Sequence, residues 1–145
     1  MPYKVWKEKK TLFAKYKVRN YHVDSYGHVN NAVYLQFLED GRTDFFTFFG
    51  YSLSYLAKNK IYVFITEIKI KYLKPLKLDD IIVVTGNISK IKKVRATWIQ
   101  EIYSGNIKIA TATVASAFVN SHGNAIRIPD FLLKPLYSIY TDSQG

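Results

Sequence analysis

Residues 23–42, VDSYGHVNNAVYLQFLEDGR, join a polar opening to a greasy continuation. Asp24, His28, Asn30 and Asn31 fall within eight positions, and the apolar residues that follow recur at helical spacing. Tyr34, Leu35, Leu38, Phe45, Phe46 and Phe49 predict a helix over 32–49 that is apolar around more than half its circumference. Such a helix has to be wrapped by other structure, and Gly50 supplies a C-cap where the pattern stops. Glu39 and Arg42 are awkward inside a buried helix; standing three apart, they are expected to pair with each other.

Outward from this helix the pattern changes to strands. Residues 11–19, TLFAKYKVR, alternate and read as a strand that ends just before the polar segment. After a short helical or irregular stretch over 53–59, everything to the C-terminus reads as strand. Ile68, Ile70 and Tyr72 oppose Glu67, Lys69 and Lys71 until Pro75; then come IIVVTGNIS, KVRATWIQEIY and, after the Ser104-Gly105-Asn106 turn, IKIATATVASAFVN. One strand, a long buried helix and four hairpin-joined strands describe a single α+β domain over 1–145, an antiparallel sheet wrapped around a central helix. An open sheet leaves strand edges unpaired, so a homodimer or homotetramer is expected.

Composition narrows the class. A chain of 145 residues that is 48% hydrophobic and 16% aromatic buries a real core, and the absence of cysteine excludes thiol nucleophiles and thiolate metal sites. The lysine-containing N-terminal segment has no apolar signal core and no stretch reaches membrane-span length, so the expected location is cytoplasmic, with no membrane among the partners. The formal charge of +10 attracts polyanions such as coenzyme A phosphates, an acidic carrier protein or nucleic acid. The aromatics sit mostly at core spacings and the polar cluster sits at a helix start, which argues against nucleic acid. His22, His28 and His122 are scattered without a zinc pattern, and no metal or other cofactor is expected.

Asn30 and Asn31 are good N-cap residues, and the unpaired amides of the helix start carry a partial positive charge suited to a carboxylate, a phosphate or a developing oxyanion. A Tyr26-Gly27 turn brings Asp24 back toward that helix end. Asp24 either makes an Asx turn or serves as nucleophile or base; His28 is either a loop histidine or part of the same group.

The run from Asp24 through Gly27, His28, Asn30 and Asn31 to Tyr34, with Leu38, Glu39 and Arg42 behind it, resembles the signature of hotdog-fold acyl thioesterases of the 4-hydroxybenzoyl-CoA thioesterase type. It is close to the acyl-carrier-protein thioesterases that share the HVNN run. The stretches Glu67–Asp80 and Ile126–Pro129 resemble later parts of the same family, so the likeness covers nearly the whole chain. The resemblance implies a hotdog fold and hydrolysis of an acyl-CoA or acyl-carrier thioester, or else acyl binding without hydrolysis. It implies Asp24 as catalytic carboxylate, the Asn31 backbone N–H as carbonyl polariser and His28 in the catalytic group, with Tyr26, Gly27, Asn30 and Tyr34 against substrate. Hotdog lineages that keep their acid within the helix make Glu39 the rival catalyst. The acyl chain would lie beside the helix and a dimer neighbour, with basic residues at the rim.

Overall fold

The computed structural model describes residues 4–142; the ends of the 1–145 span, including the first three residues of the N-terminal segment, lie outside the described residues. Strands β1 (Lys4–Glu8) and β2 (Thr11–Lys17) form a hairpin, followed by a 3₁₀ turn at Asn20–His22 and helices α1 (Asn31–Phe48) and α2 (Leu53–Lys58). Then come β3 (Tyr62–Tyr72), β4 (Ile81–Ile91), β5 (Arg95–Ser104), β6 (Ile107–Val119) and α3 (Asp130–Ser138). The six strands form one sheet in the order β1-β2-β4-β5-β6-β3, antiparallel throughout, and α1 packs on one face of it. This is the hotdog arrangement.

Three expectations need correction. A strand precedes Thr11: β1 pairs with β2 from Lys4↔Lys15 to Glu8↔Thr11, although its lysines hide any apolar alternation. The segment after β6 is not all strand, because Leu132 and Leu136, four apart, are buried under α3. β3 and β4 are not joined by a hairpin: β3 crosses to the far edge and pairs with β6, while β4 inserts beside β2.

α1 ends in a paired-bond cap, with Tyr51 N–H donating to the Phe46 carbonyl and Gly50 N–H to that of Thr47; Gly50 takes the φ of +97° the cap requires. Helix and sheet approach closely at two glycines. A Cβ on Gly41 would lie 2.8 Å from Val84 Cγ1, and one on Gly86 would lie 2.3 Å from Phe45 Cε2. Phe45 and Phe46 pack against Trp98, with ring centroids 5.9 and 6.1 Å away, at the centre of the core.

The far edge strand β3 carries a bulge between Ile65 and Glu67. The extra residue shifts the alternation, so Val63, Ile65, Ile68, Ile70 and Tyr72 all pair with residues whose side chains face the core. That face is only partly covered: Ile68 is 36% exposed and Tyr72 42%. A groove runs between α1 and β3, with Phe46, Val63, Ile65 and Trp98 in its apolar lining and Glu39 and Arg42 on its α1 side. No helix among the described residues is long and apolar enough to cross a membrane.

Candidate active site

Two short segments meet at the start of α1. Residues 23–29 form a small hairpin closed by the Val23↔Val29 bridge, with Gly27 at φ +80° in its turn. Asp24 organises this turn: its Oδ1 accepts from the backbone N–H of Tyr26 at 2.9 Å and of His28 at 3.2 Å. This is the Asx-turn role, and it leaves Oδ2 without a hydrogen bond among the described residues. Residues 76–77, beyond β3, lie against the other side of the hairpin, through Val29 N–H to the Leu76 carbonyl at 3.1 Å and a His28↔Lys77 bridge.

Asn30 is the N-cap of α1, its side-chain oxygen accepting from Ala32 N–H at 2.8 Å, so Asn31 is the first helical residue. The Asn31 N–H makes no hydrogen bond among the described residues. It stands at the positive end of an 18-residue helix. Buried Tyr34 accepts from Leu76 N–H at 3.0 Å, and its ring meets Tyr72 edge-on at 5.1 Å. Tyr72 in turn donates to the Asn31 carbonyl at 3.1 Å. Replacing Tyr34 by Phe strands the buried Leu76 N–H, so unfolding titrations are expected to show a loss of about 1–3 kcal/mol.

A cleft of about 350 Å³ opens over this corner, lined by His28, Asn31, Tyr34, Tyr72, Lys74 and Pro75 among others. The structure thus brings His28, Asn31 and Tyr34 together. Asp24 is not in the lining; it joins the site through the His28 N–H. Tyr26 is 85% exposed and also stands outside the cleft, Gly27 serves the turn, and Asn30 serves the cap. Tyr72 and Lys74 belong to the cleft but escaped site assignment; the signal was Tyr72 at the end of a strand, three residues before Pro75.

The helix acids have other surroundings. Glu39 is exposed, roughly 12 Å along the helix from Asn31. It borders a cavity of about 140 Å³ with Phe46, Val63, Ile65 and Trp98, further along the groove between α1 and β3. The expected Glu39–Arg42 pair is not formed. Arg42 turns inward, is buried, and donates from Nη1 to Gln100 Oε1 at 3.0 Å; Gln100 Nε2 donates to the Leu38 carbonyl at 3.1 Å. Burial lowers the Arg42 pKa, offset in part by the Glu39 charge, and an arginine remains charged at neutral pH. The scattered histidines have local roles: His22 Nδ1 accepts from Arg19 N–H, and His122 sits in a turn held by Asn120.

Burial, then the charges of Asp44 and Glu39, push the Asp40 carboxyl pKa up; burial does the same for Asp44, against the Tyr16 hydroxyl bond that lowers it. A raised folded-state pKa means that ionised Asp40 costs stability, and the cost disappears as pH falls below the unfolded value of about 3.9. Asp40→Asn is therefore expected to raise Tm at pH 7. Melts taken down the carboxylate range should show that gain shrinking.

Residues 18–136 match the model of the thioesterase-like superfamily. The chain belongs to this superfamily. Within it, the chain is similar to the long-chain acyl-CoA thioesterase FadM of Escherichia coli, 37% identical over 75 residues, covering 52% of this chain and 56% of that protein. It is also similar to the chloroplastic acyl-acyl carrier protein thioesterase ATL3 of Arabidopsis thaliana, 30% identical over 115 residues, covering 78% of this chain and 60% of that one. These matches therefore span just over half of each relative's length. A probable thioesterase from Bartonella henselae superposes with a TM-score of 0.79 at 27% identity, covering 81% of this chain and 98% of that one.

Proposed function

We propose that this superfamily member is an acyl-CoA thioesterase, hydrolysing an acyl thioester to free acid and thiol at a site of the 4-hydroxybenzoyl-CoA thioesterase type. The observation that carries the reading is the unbonded N–H of Asn31 at the positive end of α1, in a residue that lines a cleft beside a carboxylate-braced turn. A thioester carbonyl placed there would have its developing oxyanion stabilised by the Asn31 N–H and the helix end. Asp24 Oδ2 either takes a proton from the attacking water or attacks the carbonyl itself to give an anhydride that water opens. Collapse of the tetrahedral intermediate breaks the C–S bond, and the thiolate leaves to be protonated. His28 and Tyr34 contact the substrate around the carbonyl, and Glu39, more than two turns further along α1, has no part in the chemistry.

The apolar groove between α1 and β3, with Ile68 and Tyr72 in its wall, suits the acyl chain. Lys74 in the lining, with exposed Lys71 and Lys77 nearby, suits carrier phosphates. The likeness to ATL3 favours a second reading, in which the carrier is an acyl-carrier protein. A thiol-release assay across acyl-CoA and acyl-carrier thioesters tests both. Turnover on coenzyme A thioesters is expected; turnover on carrier thioesters alone selects the second reading, and acyl binding without thiol release overturns hydrolysis.

A homodimer completes this reading. β3 is an 11-residue edge strand with Tyr62 40% and Phe64 60% exposed, and a second copy pairing along it would cover both the edge and the groove. Light scattering at micromolar concentration is expected to give at least twice the chain mass. A monomer would overturn the expectation.

A further inference from the structure

Against the expectation of no membrane partner, the geometry points to a second functional face, remote from the cleft, that docks on an anionic phospholipid bilayer. It lies where α1 ends and α2 and α3 meet. Phe48 is 45% exposed, Tyr55 44% and Phe131 36%. They form one patch with half-buried Phe49 and Tyr51: the Tyr51 and Phe131 rings are 4.7 Å apart, Tyr51 and Tyr55 5.8 Å, and Phe48 and Phe49 6.1 Å. An open groove of about 520 Å³ runs through the patch, with Lys7 of β1 and Lys134 of α3 in its lining and Asp130 the one carboxylate there. Contiguous exposed rings of this kind mark a contact surface.

Position and charge select the occupant. Lys7 belongs to β1, the sheet edge opposite β3, so a dimer formed along β3 leaves the Lys7 and Lys134 side of this patch open. A second copy docking here would bring together two patches that each hold two lysines against one carboxylate, on a chain of net charge +10. A bilayer rich in anionic lipid has the complementary sign, and Phe and Tyr rings flanked by lysines are the side chains that settle at the headgroup boundary. No spanning segment is required: the rings enter the interface while the lysine ammonium groups stay among the phosphates.

The experiment is co-sedimentation of the whole protein with sucrose-loaded vesicles of phosphatidylcholine alone and of phosphatidylcholine mixed with phosphatidylglycerol. Binding is expected only to the mixed vesicles and is expected to fall with added salt. Lys7→Gln with Lys134→Gln should weaken partitioning by roughly fivefold per lysine. Phe131→Ser should weaken it about tenfold or more. All three residues are at the surface, and unchanged thermal melts would confirm that the variants fold. Equal binding to both vesicle types, or no loss in the lysine variant, overturns the proposal. Wild-type protein that remains in the supernatant with both compositions also overturns it and leaves the patch to an acidic protein. A shift in oligomeric state on Phe131→Ser overturns it in favour of a second copy.

Discussion

Replacing Asp24 by Asn is expected to lower kcat roughly 10²-fold or more while the fold and its assembly persist. The separation follows from how the carboxylate is divided. Oδ1 holds the turn by accepting from the Tyr26 and His28 N–H groups through bonds of 2.9 and 3.2 Å, and an asparagine oxygen can accept the same two bonds. Oδ2 is the atom assigned to the chemistry; in the variant its place is taken by an amide that neither removes a proton nor attacks a carbonyl. Thermal melts should therefore overlay while thiol release falls. Glu39→Gln should leave kcat near the wild-type value, because Glu39 lies more than two turns of α1 from the Asn31 N–H. Normal turnover in the Asp24 variant together with loss in a folded Glu39 variant would move the catalyst into the helix.

Replacing Gln100 by Leu is expected to destabilise the fold by about 3 kcal/mol, which for a chain of this size lowers Tm by roughly 10 °C. Gln100 is fully buried and is the hydrogen-bond partner of the buried Arg42 guanidinium; it also donates to the Leu38 carbonyl. Leucine fills similar space but leaves a buried cation unpaired, and desolvation of that charge is the main cost. The double variant Arg42→Met, Gln100→Leu removes the charge as well as its partner and should recover most of the loss. Chemical denaturation of the two single variants and the double would measure the coupling. Additive losses would show that Arg42 draws its compensation from elsewhere, such as the nearby Glu39 charge.

The helix, its cap and most of the sheet were legible because they rest on local signals. Tyr34, Leu38, Phe45 and Phe46 recur at helical spacing, and Gly50 stops the helix because its backbone reaches φ +97° without a Cβ penalty. The polar run before the helix was legible for the same reason: Asn30 caps, Gly27 turns, and Asp24 bonds to amides two and four residues ahead.

What the tertiary structure decided was every partner distant in sequence. Arg42 stands three residues from Glu39 but bonds to Gln100, 58 positions away, because the helix face bearing Arg42 is pressed onto β5 and only a polar group there can satisfy it. Gly41 is a poor helix former by propensity, and its reason appears only where Val84 comes within 2.8 Å of the Cβ it lacks. Strand order is equally non-local: adjacent β3 and β4 sit on opposite sides of the β5–β6 hairpin, so the hairpin expectation failed there. β1 and α3 were missed because lysines mask one and the other buries only Leu132 and Leu136. By itself the sequence determined a capped central helix, an antiparallel sheet and the residues at the helix start. Only folding could bring Tyr72 and Lys74 to that helix start, because a cleft exists once two segments about 40 residues apart are packed against each other, and local periodicity carries no record of that packing.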